Sequence, residues 1–327
     1  MVYMGAVREG KKGELVFSAG SCRYRKGDFT LFICFSRRWC FSRFFENFEE
    51  MTMDLDRCHL VLLDNSDDEK LEELLLGRAG SYEGSFKSVR VWKSWRLYSR
   101  PLQTAKNITW ENSQLAPIHG MHRDAMSLCG TDVFVMIEDD TLPPPDAVPR
   151  LLSMLYDNPR CGFATGVQAM RQSSVFTPSY MGVYYVEREG DELREWLSPS
   201  PHLRGVHAVD GSGWYCFASY KLVFERALDR LAEASGSTKH FAADVMQVNN
   251  IKRDGFGVLA DFSMWCGHYS VMDGVGYVWG RKNCRPTLCV WVPKWRTYAK
   301  TTEMKEQVHY ELAGRLTRKK DRESRRN

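Results

Sequence analysis

The sequence predicts an α/β protein with three α/β/α layers around a mixed, mostly parallel sheet. Three observations lead there. Short, largely apolar runs recur at 29–35 (FTLFICF), 58–63 (CHLVLL), 89–92 (VRVW) and, without interruption, 133–137 (VFVMI), as expected of strands buried on both faces. Helix-length stretches separate them, the alternation of βαβ units. The last of these runs ends in three consecutive carboxylates, Glu138, Asp139 and Asp140. In open α/β sheets that is where ligands bind.

Taken in order, residues 1–28 read as an irregular or lightly structured lead-in. The β-branched and aromatic run at 29–35 forms the first strand, and an aromatic-rich helix covers 39–51. The second strand, 58–63, runs into Asp64-Asn65-Ser66, where Ser66 and Glu69 fit a capping box opening a helix through Leu76. A third strand falls at 89–92. A helix over 113–129 then delivers the chain to the acidic strand. Pro143-Pro144-Pro145 breaks the backbone before an amphipathic helix at 146–156. The second half holds a strand-like segment at 161–168, a loop-rich stretch with Gly, Pro and aromatics, and a strand at 206–209. Helices follow at 220–231 and 241–253. The organisation expected is a lead-in at 1–28, a nucleotide-binding half at 29–140, a half shaping the other wall of a cleft at 141–280, and an extension at 281–327.

Composition narrows the class. With 327 residues and 43% hydrophobic content, the chain can bury a sizeable core as one large domain or two tight subdomains. No apolar run approaches the roughly 20 residues of a membrane helix, and the polar start at 1–13 lacks the apolar region of a signal peptide. Ten cysteines without a CxxC ladder fit a reducing, cytoplasmic setting. Of the 45 basic and 41 acidic residues, 7 and 2 lie at 315–327, which leaves 38 against 39 elsewhere. The positive balance is thus a C-terminal tail, able to hold nucleic acid or another anionic surface, or else a solvated end.

Three adjacent acids repel one another unless a cation compensates. Strand alternation puts Glu138 and Asp140 on one face and Asp139 on the other. Mg²⁺ and Mn²⁺ take one or two such carboxylates and complete their shells with water and phosphate oxygens. Further along, Phe241, Val245, Val248 and Ile251 form an apolar helical stripe that Asp244 flanks at a cleft edge, where an acid can accept a proton from a hydroxyl. Gly211 and Gly213 permit close backbone approach to a ligand, and Trp214 is able to stack on a sugar or base or to fill a tight turn. His268 stands alone amid aromatics, the setting of a hydrogen-bonded core residue. Cys266, His268, Cys284 and Cys289 do not have the spacing of a standard zinc finger.

The run Ile137-Glu138-Asp139-Asp140-Thr141-Leu142-Pro143, followed by Pro145-Asp146 and an apolar helix, resembles the aspartate-x-aspartate segment of GT-A-fold glycosyltransferases, the large family 2 group above all. Other pieces fall in the same order: LVLLDNS at 60–66, His122-Arg123-Asp124, VDGSGWYCF at 209–217 and Ala243-Asp244. The chain departs from the pattern in three places. The first strand ends Phe35-Ser36-Arg37 rather than Pro-x-Tyr-Asn, Glu138 stands for the commoner Asp, and Ala243 for the usual Glu. No Gln-x-x-Arg-Trp motif of processive synthases is present.

The resemblance implies a Rossmann-like GT-A fold and a metal-dependent, inverting transferase using a nucleoside-diphosphate sugar, a UDP-sugar foremost. It implies Asp140 and His268 on Mn²⁺ or Mg²⁺, Glu138 and Asp139 on the ribose or metal-bound water, Asp64 on the base and Arg123 on the phosphates. Gly211, Gly213 and Trp214 would meet the acceptor, and Asp244 would be the base. The acceptor stays open among a glycan, a lipid, a protein and a hydroxymethyl-pyrimidine in DNA. Two rivals remain: a non-catalytic nucleic-acid or glycan-binding protein on the same fold, and a nucleotidyltransferase, although Phe35-Ser36-Arg37-Arg38-Trp39 lacks the Gly expected of the latter's loop.

Overall fold

A computed structural model describes residues 14–20, 27–94, 115–168, 182–189, 192–197, 199–200, 203–234, 243–272, 275–282 and 285–290. In chain order these give strand β1 (Glu14–Gly20), β2 (Phe29–Phe35), helix α1 (Phe41–Phe48), β3 (Cys58–Asp64), α2 (Glu69–Ser81) and β4 (Ser88–Lys93). Next come α3 (Leu115–Leu128), β5 (Val133–Glu138), β6 (Thr141–Leu142), α4 (Ala147–Tyr156) and β7 (Cys161–Gln168). The second half contributes β8 (Val183–Glu189), β9 (Glu192–Leu197), β10 (Val206–Ala208), β11 (Gly211–Ser212), β12 (Cys216–Tyr220), α5 (Lys221–Ala234) and α6 (Ala243–Arg253). Strands β13 (Gly257–Met272), β14 (Val275–Lys282) and β15 (Arg285–Val290) follow.

Among the described residues the main sheet runs β1-β4-β3-β2-β5-β12-β7-β13-β14-β15, with β6 and β10 pairing on β13. Strands β4, β3, β2 and β5 are parallel, and so are β7 and β13. Strand β12 is antiparallel to both β5 and β7, so those two point the same way. Six strands therefore finish at one edge. The register makes that edge nearly level, with Phe35 opposite Asp64, Asp64 opposite Lys93, and Cys34 opposite Glu138.

The uninterrupted apolar strands β2 and β3 are buried at every position. Helices cover both faces of the sheet. Phe35 stacks on Phe45 of α1 with centroids 5.5 Å apart, within the Phe41, Phe44, Phe45 and Phe48 stripe. Phe32, three residues earlier and so on the other face, meets Phe134, which packs with Phe217 and with Phe224 of α5. No described helix is long and apolar enough to cross a membrane.

The structure alters several expectations. The lead-in contains β1, an edge strand antiparallel to β4. Helix α2 is capped by Asp68, which accepts from the Lys70 N–H at 3.1 Å, rather than by Ser66. The loop-rich stretch holds the β8–β9 hairpin. Strand β12 follows the glycine loop directly, and β13 to β15 continue the sheet into the expected extension. The basic tail at 315–327 lies outside the described residues.

Candidate functional site

The carboxylates sit where the six strands end, but strand alternation does not set their directions. Strand β5 stops at Glu138, and Asp139 and Asp140 form a turn before β6. Expected on opposite faces, Asp139 and Asp140 instead meet one guanidinium. Nη2 of Arg37 is 2.8 Å from Asp139 Oδ1, and Nη1 is 2.7 Å from Asp140 Oδ2. Asp139 Oδ2 also accepts the backbone N–H of Ser36 at 2.8 Å and of Arg37 at 2.9 Å. At 1% exposure, Asp139 is a pin for the loop leaving β2, not an open ligand for ribose or water.

Asp140 is tied to the far side of the sheet. Its carbonyl accepts the Tyr269 N–H at 2.7 Å, and the short β6 pairs Leu142 with Gly267 and Thr141 with His268. That pairing brings His268 Nε2 to 3.5 Å from Asp140 Oδ2. Two ligands of one octahedral ion at about 2.1 Å lie roughly 3 Å apart, so this carboxylate and imidazole fit a shared divalent cation. Among the described residues no group of three or more His, Cys, Asp or Glu is placed to hold a metal ion. Cys266 is buried in the apolar core, and Cys284 lies outside the described residues.

On the β3–β4 side, Asp64 is wholly buried. Its Oδ1 accepts from the Ser66 N–H and Oγ at 2.8 and 2.7 Å, and its Oδ2 pairs with Lys93 Nζ at 2.6 Å. The carboxylate expected to read a base is thus committed to its own turn, and Lys93, one-fifth exposed, lies between it and Glu72 Oε2 at 3.5 Å. Arg123 pairs with Asp229 between α3 and α5, both about half exposed. No described contact links it to the acids at the strand ends. Ser94 Oγ donates to Asp124 Oδ2 at 2.9 Å, which ties α3 to the end of β4.

The glycine loop lies against the same edge. The Glu138 N–H donates to the Tyr215 carbonyl at 3.0 Å, and the Gly213 N–H to the Gly182 carbonyl at 2.8 Å. A Cβ on Gly213 would lie 3.4 Å from Asp244 Oδ2, so the carboxylate at the start of α6 borders this loop. A Cβ on Gly211 would overlap the Tyr184 hydroxyl, and only glycine lets that ring lie there. Burial, then the carboxylates of Asp244 and Asp210, push the Tyr184 hydroxyl up, so it remains a proton donor beside Asp244. Trp214 does not offer a stacking face. It is 6% exposed, and His122 meets it edge-on with centroids 4.4 Å apart.

Glu138, Asp139, Asp140 and His268 thus share one edge, with Asp244, Gly211 and Gly213 beside them through the Tyr215 loop. Arg37, Lys93 and Tyr184 join this site without having been singled out in the sequence. Lys93 sits level with Asp64 by strand register, and Arg37 closely follows the first strand; those positions were the available signals.

No protein-family model and no curated protein matches the sequence. Among solved structures, the chain is similar to GalNAc-T7 determined with UDP, GalNAc and Mn²⁺, at 12% identity and a TM-score of 0.52, over 77% of this chain and 46% of that one. It is also similar to the mannosyltransferase PcManGT from Pyrobaculum calidifontis, determined with GDP-Man and Mn²⁺, at 11% identity and a TM-score of 0.44, over 73% and 56% of the two chains. The chain spans about half the length of each. At such identities the likeness is one of fold: this chain has a GT-A-type, Rossmann-like α/β fold.

Proposed function

We propose that this protein is a metal-dependent, inverting glycosyltransferase that moves a sugar from a nucleoside-diphosphate sugar, a UDP-sugar foremost, to an acceptor hydroxyl. One observation carries the reading. Asp140 and His268, distant in sequence, converge to 3.5 Å at the carboxyl ends of parallel strands, in a fold shared with a transferase solved with UDP and Mn²⁺. Asp140 and His268 would hold Mn²⁺ or Mg²⁺. Bound there, the ion would offset negative charge developing on the departing diphosphate.

The remaining roles belong to the chain itself. Glu138, partly exposed at the end of β5, would meet the ribose. Asp64 would act through Lys93 and the Ser66 turn to shape the wall for the nucleobase. Gly211 and Gly213 would let an acceptor approach Asp244, which would take the hydroxyl proton as that oxygen attacks the anomeric carbon. The Tyr184 hydroxyl, held protonated, would keep a donor beside that carboxylate. Arg123 and Trp214 drop out of this scheme because their side chains are engaged elsewhere.

The test is turnover of a panel of nucleotide sugars with Mn²⁺, followed by product configuration at the anomeric carbon. The reading requires release of nucleoside diphosphate that Asp244→Asn and Asp140→Asn each abolish, with the donor's anomeric configuration inverted. Retained configuration would remove Asp244 as base. No release of nucleotide from any donor would favour a non-catalytic binding protein on this fold.

A further inference from the structure

Arg37 has no role in the scheme above, yet its guanidinium lies on the carboxylate assigned to the metal. One fork neutralises both acids of the turn, Asp139 at 2.8 Å and Asp140 at 2.7 Å. The group is held in place from several sides. Its Nε donates to Ser36 Oγ at 3.2 Å, its carbon lies 5.5 Å from the centre of the Trp39 ring, and its own backbone N–H is bound by Asp139. Its side chain is 23% exposed, so part of it is reached by solvent. A guanidinium does not lose its proton in a protein, so this charge is permanent.

Two consequences follow from Coulomb's law. A divalent cation approaching Asp140 alone meets a fixed positive charge on the same oxygen, and must compete with a charge-assisted hydrogen bond. A diphosphate reverses the balance. Guanidinium forks match phosphate oxygens, and each positive group then sees the phosphates instead of the other.

Resting on the donor-site reading given above, we propose that Arg37 makes metal loading conditional on the nucleoside diphosphate. Without the nucleotide, Arg37 stands in for the cation on Asp140. With it, the guanidinium turns to the phosphate oxygens, and the ion and nucleotide bind together. Asp139 keeps the two backbone N–H bonds that pin the loop, so the change is confined to the Arg37 side chain and the two carboxylates it leaves. The Arg37 ion pair thereby protects the acidic turn from capturing cations unproductively when no donor is present.

The test titrates the full chain with Mn²⁺, following free Mn²⁺ by its electron paramagnetic resonance signal. Titrations are run without nucleotide, with UDP and with GDP, against protein-free blanks for ion held by the nucleotide. Arg37→Gln should tighten Mn²⁺ binding without nucleotide by roughly tenfold or more, the scale of a like charge a few ångströms away. It should shrink the gain conferred by the diphosphate by a similar factor. Arg37→Lys keeps the charge but not the fork, so it should leave the nucleotide-free affinity near wild type while weakening the diphosphate complex. That variant carries the test if Arg37→Gln fails to fold.

Unchanged or weaker nucleotide-free Mn²⁺ binding in Arg37→Gln, with Asp140→Asn still abolishing binding, overturns this proposal and leaves the donor site standing. Mn²⁺ binding indifferent to Asp140→Asn overturns both.

Discussion

Replacing Asp139 separates a carboxylate that builds the site from carboxylates that serve it. Its Oδ2 takes two backbone N–H groups of the loop after β2, at 2.8 and 2.9 Å, and its Oδ1 takes Arg37 Nη2 at 2.8 Å. With the longer bond from Ser36 Oγ at 3.4 Å, Asp139→Ala removes four charge-assisted hydrogen bonds and leaves their donors without this acceptor. At about 1–3 kcal/mol for each donor, discounted because the loop is partly reached by water, the loss should be about 3–5 kcal/mol. Asp139→Asn keeps one acceptor oxygen and should lose about half as much. For a chain of 327 residues, 3–5 kcal/mol corresponds to a fall of roughly 4–7 °C in the unfolding midpoint. Urea unfolding of wild type, Asp139→Ala and Asp139→Asn measures it, with Asp68→Ala as a comparator that removes a helix cap worth about 1 kcal/mol and a largely exposed ion pair with Arg38 worth at most about as much again. A loss in Asp139→Ala no larger than that of the cap variant would refute the pinning role.

Other outcomes are expected together. Gly211→Ala forces the Tyr184 ring aside and should cost about 1–3 kcal/mol, as overpacking does, with the double variant Gly211→Ala/Tyr184→Ala recovering part of it; no recovery would mean that the contact is not the cause. Burial, then the neighbouring His119, pushes the His122 imidazole down to about 3. Its folded-state value lies below the unfolded one, so it favours the native state above about pH 6.5, and that contribution is lost as the pH falls, by about 2 kcal/mol at pH 5. Urea titrations at pH 7 and pH 5 should show a smaller difference in His122→Asn than in wild type; an equal difference would exclude His122 as a source. Deleting 315–327 should remove any steeply salt-dependent DNA binding if modified DNA is the acceptor, whereas salt-insensitive transfer to a free sugar would exclude that role for the tail.

How far the sequence reaches depends on the range of the forces involved. The strands at 29–35 and 161–168 match their expected bounds, because apolar runs closed by turn residues announce themselves locally. Strand β12, Cys-Phe-Ala-Ser-Tyr, lies between two strands and needs no alternation, so it carries no periodic signal. Strand β13 is interrupted by Asp261 and Gly267, whose places are explained only across the fold: Asp261 pairs with Arg150 at 2.9 Å, and Gly267 faces Leu142. The acidic turn was legible as a cluster, and its resemblance to aspartate-x-aspartate segments pointed to the proposed site. Its division of labour was not. Arg37 lies 102 residues from the Asp139 carboxylate it engages, and no local pattern reports such a pairing. Trp214 illustrates the opposite limit, since a tryptophan beside two glycines reads equally as a platform or as core, and only His122 across from it decides.

The donor site is tested most directly by the thermal unfolding midpoint of the protein against a panel of nucleotide sugars, each with Mn²⁺, with Mg²⁺ and with a chelator, in wild type and Asp140→Ala. One donor at about 100 times its dissociation constant should stabilise wild type by about 2.7 kcal/mol. That stabilisation should vanish both with the chelator and in Asp140→Ala. Equal stabilisation by the donor in the chelator, or in Asp140→Ala with Mn²⁺, would contradict a metal-held diphosphate at the end of β5.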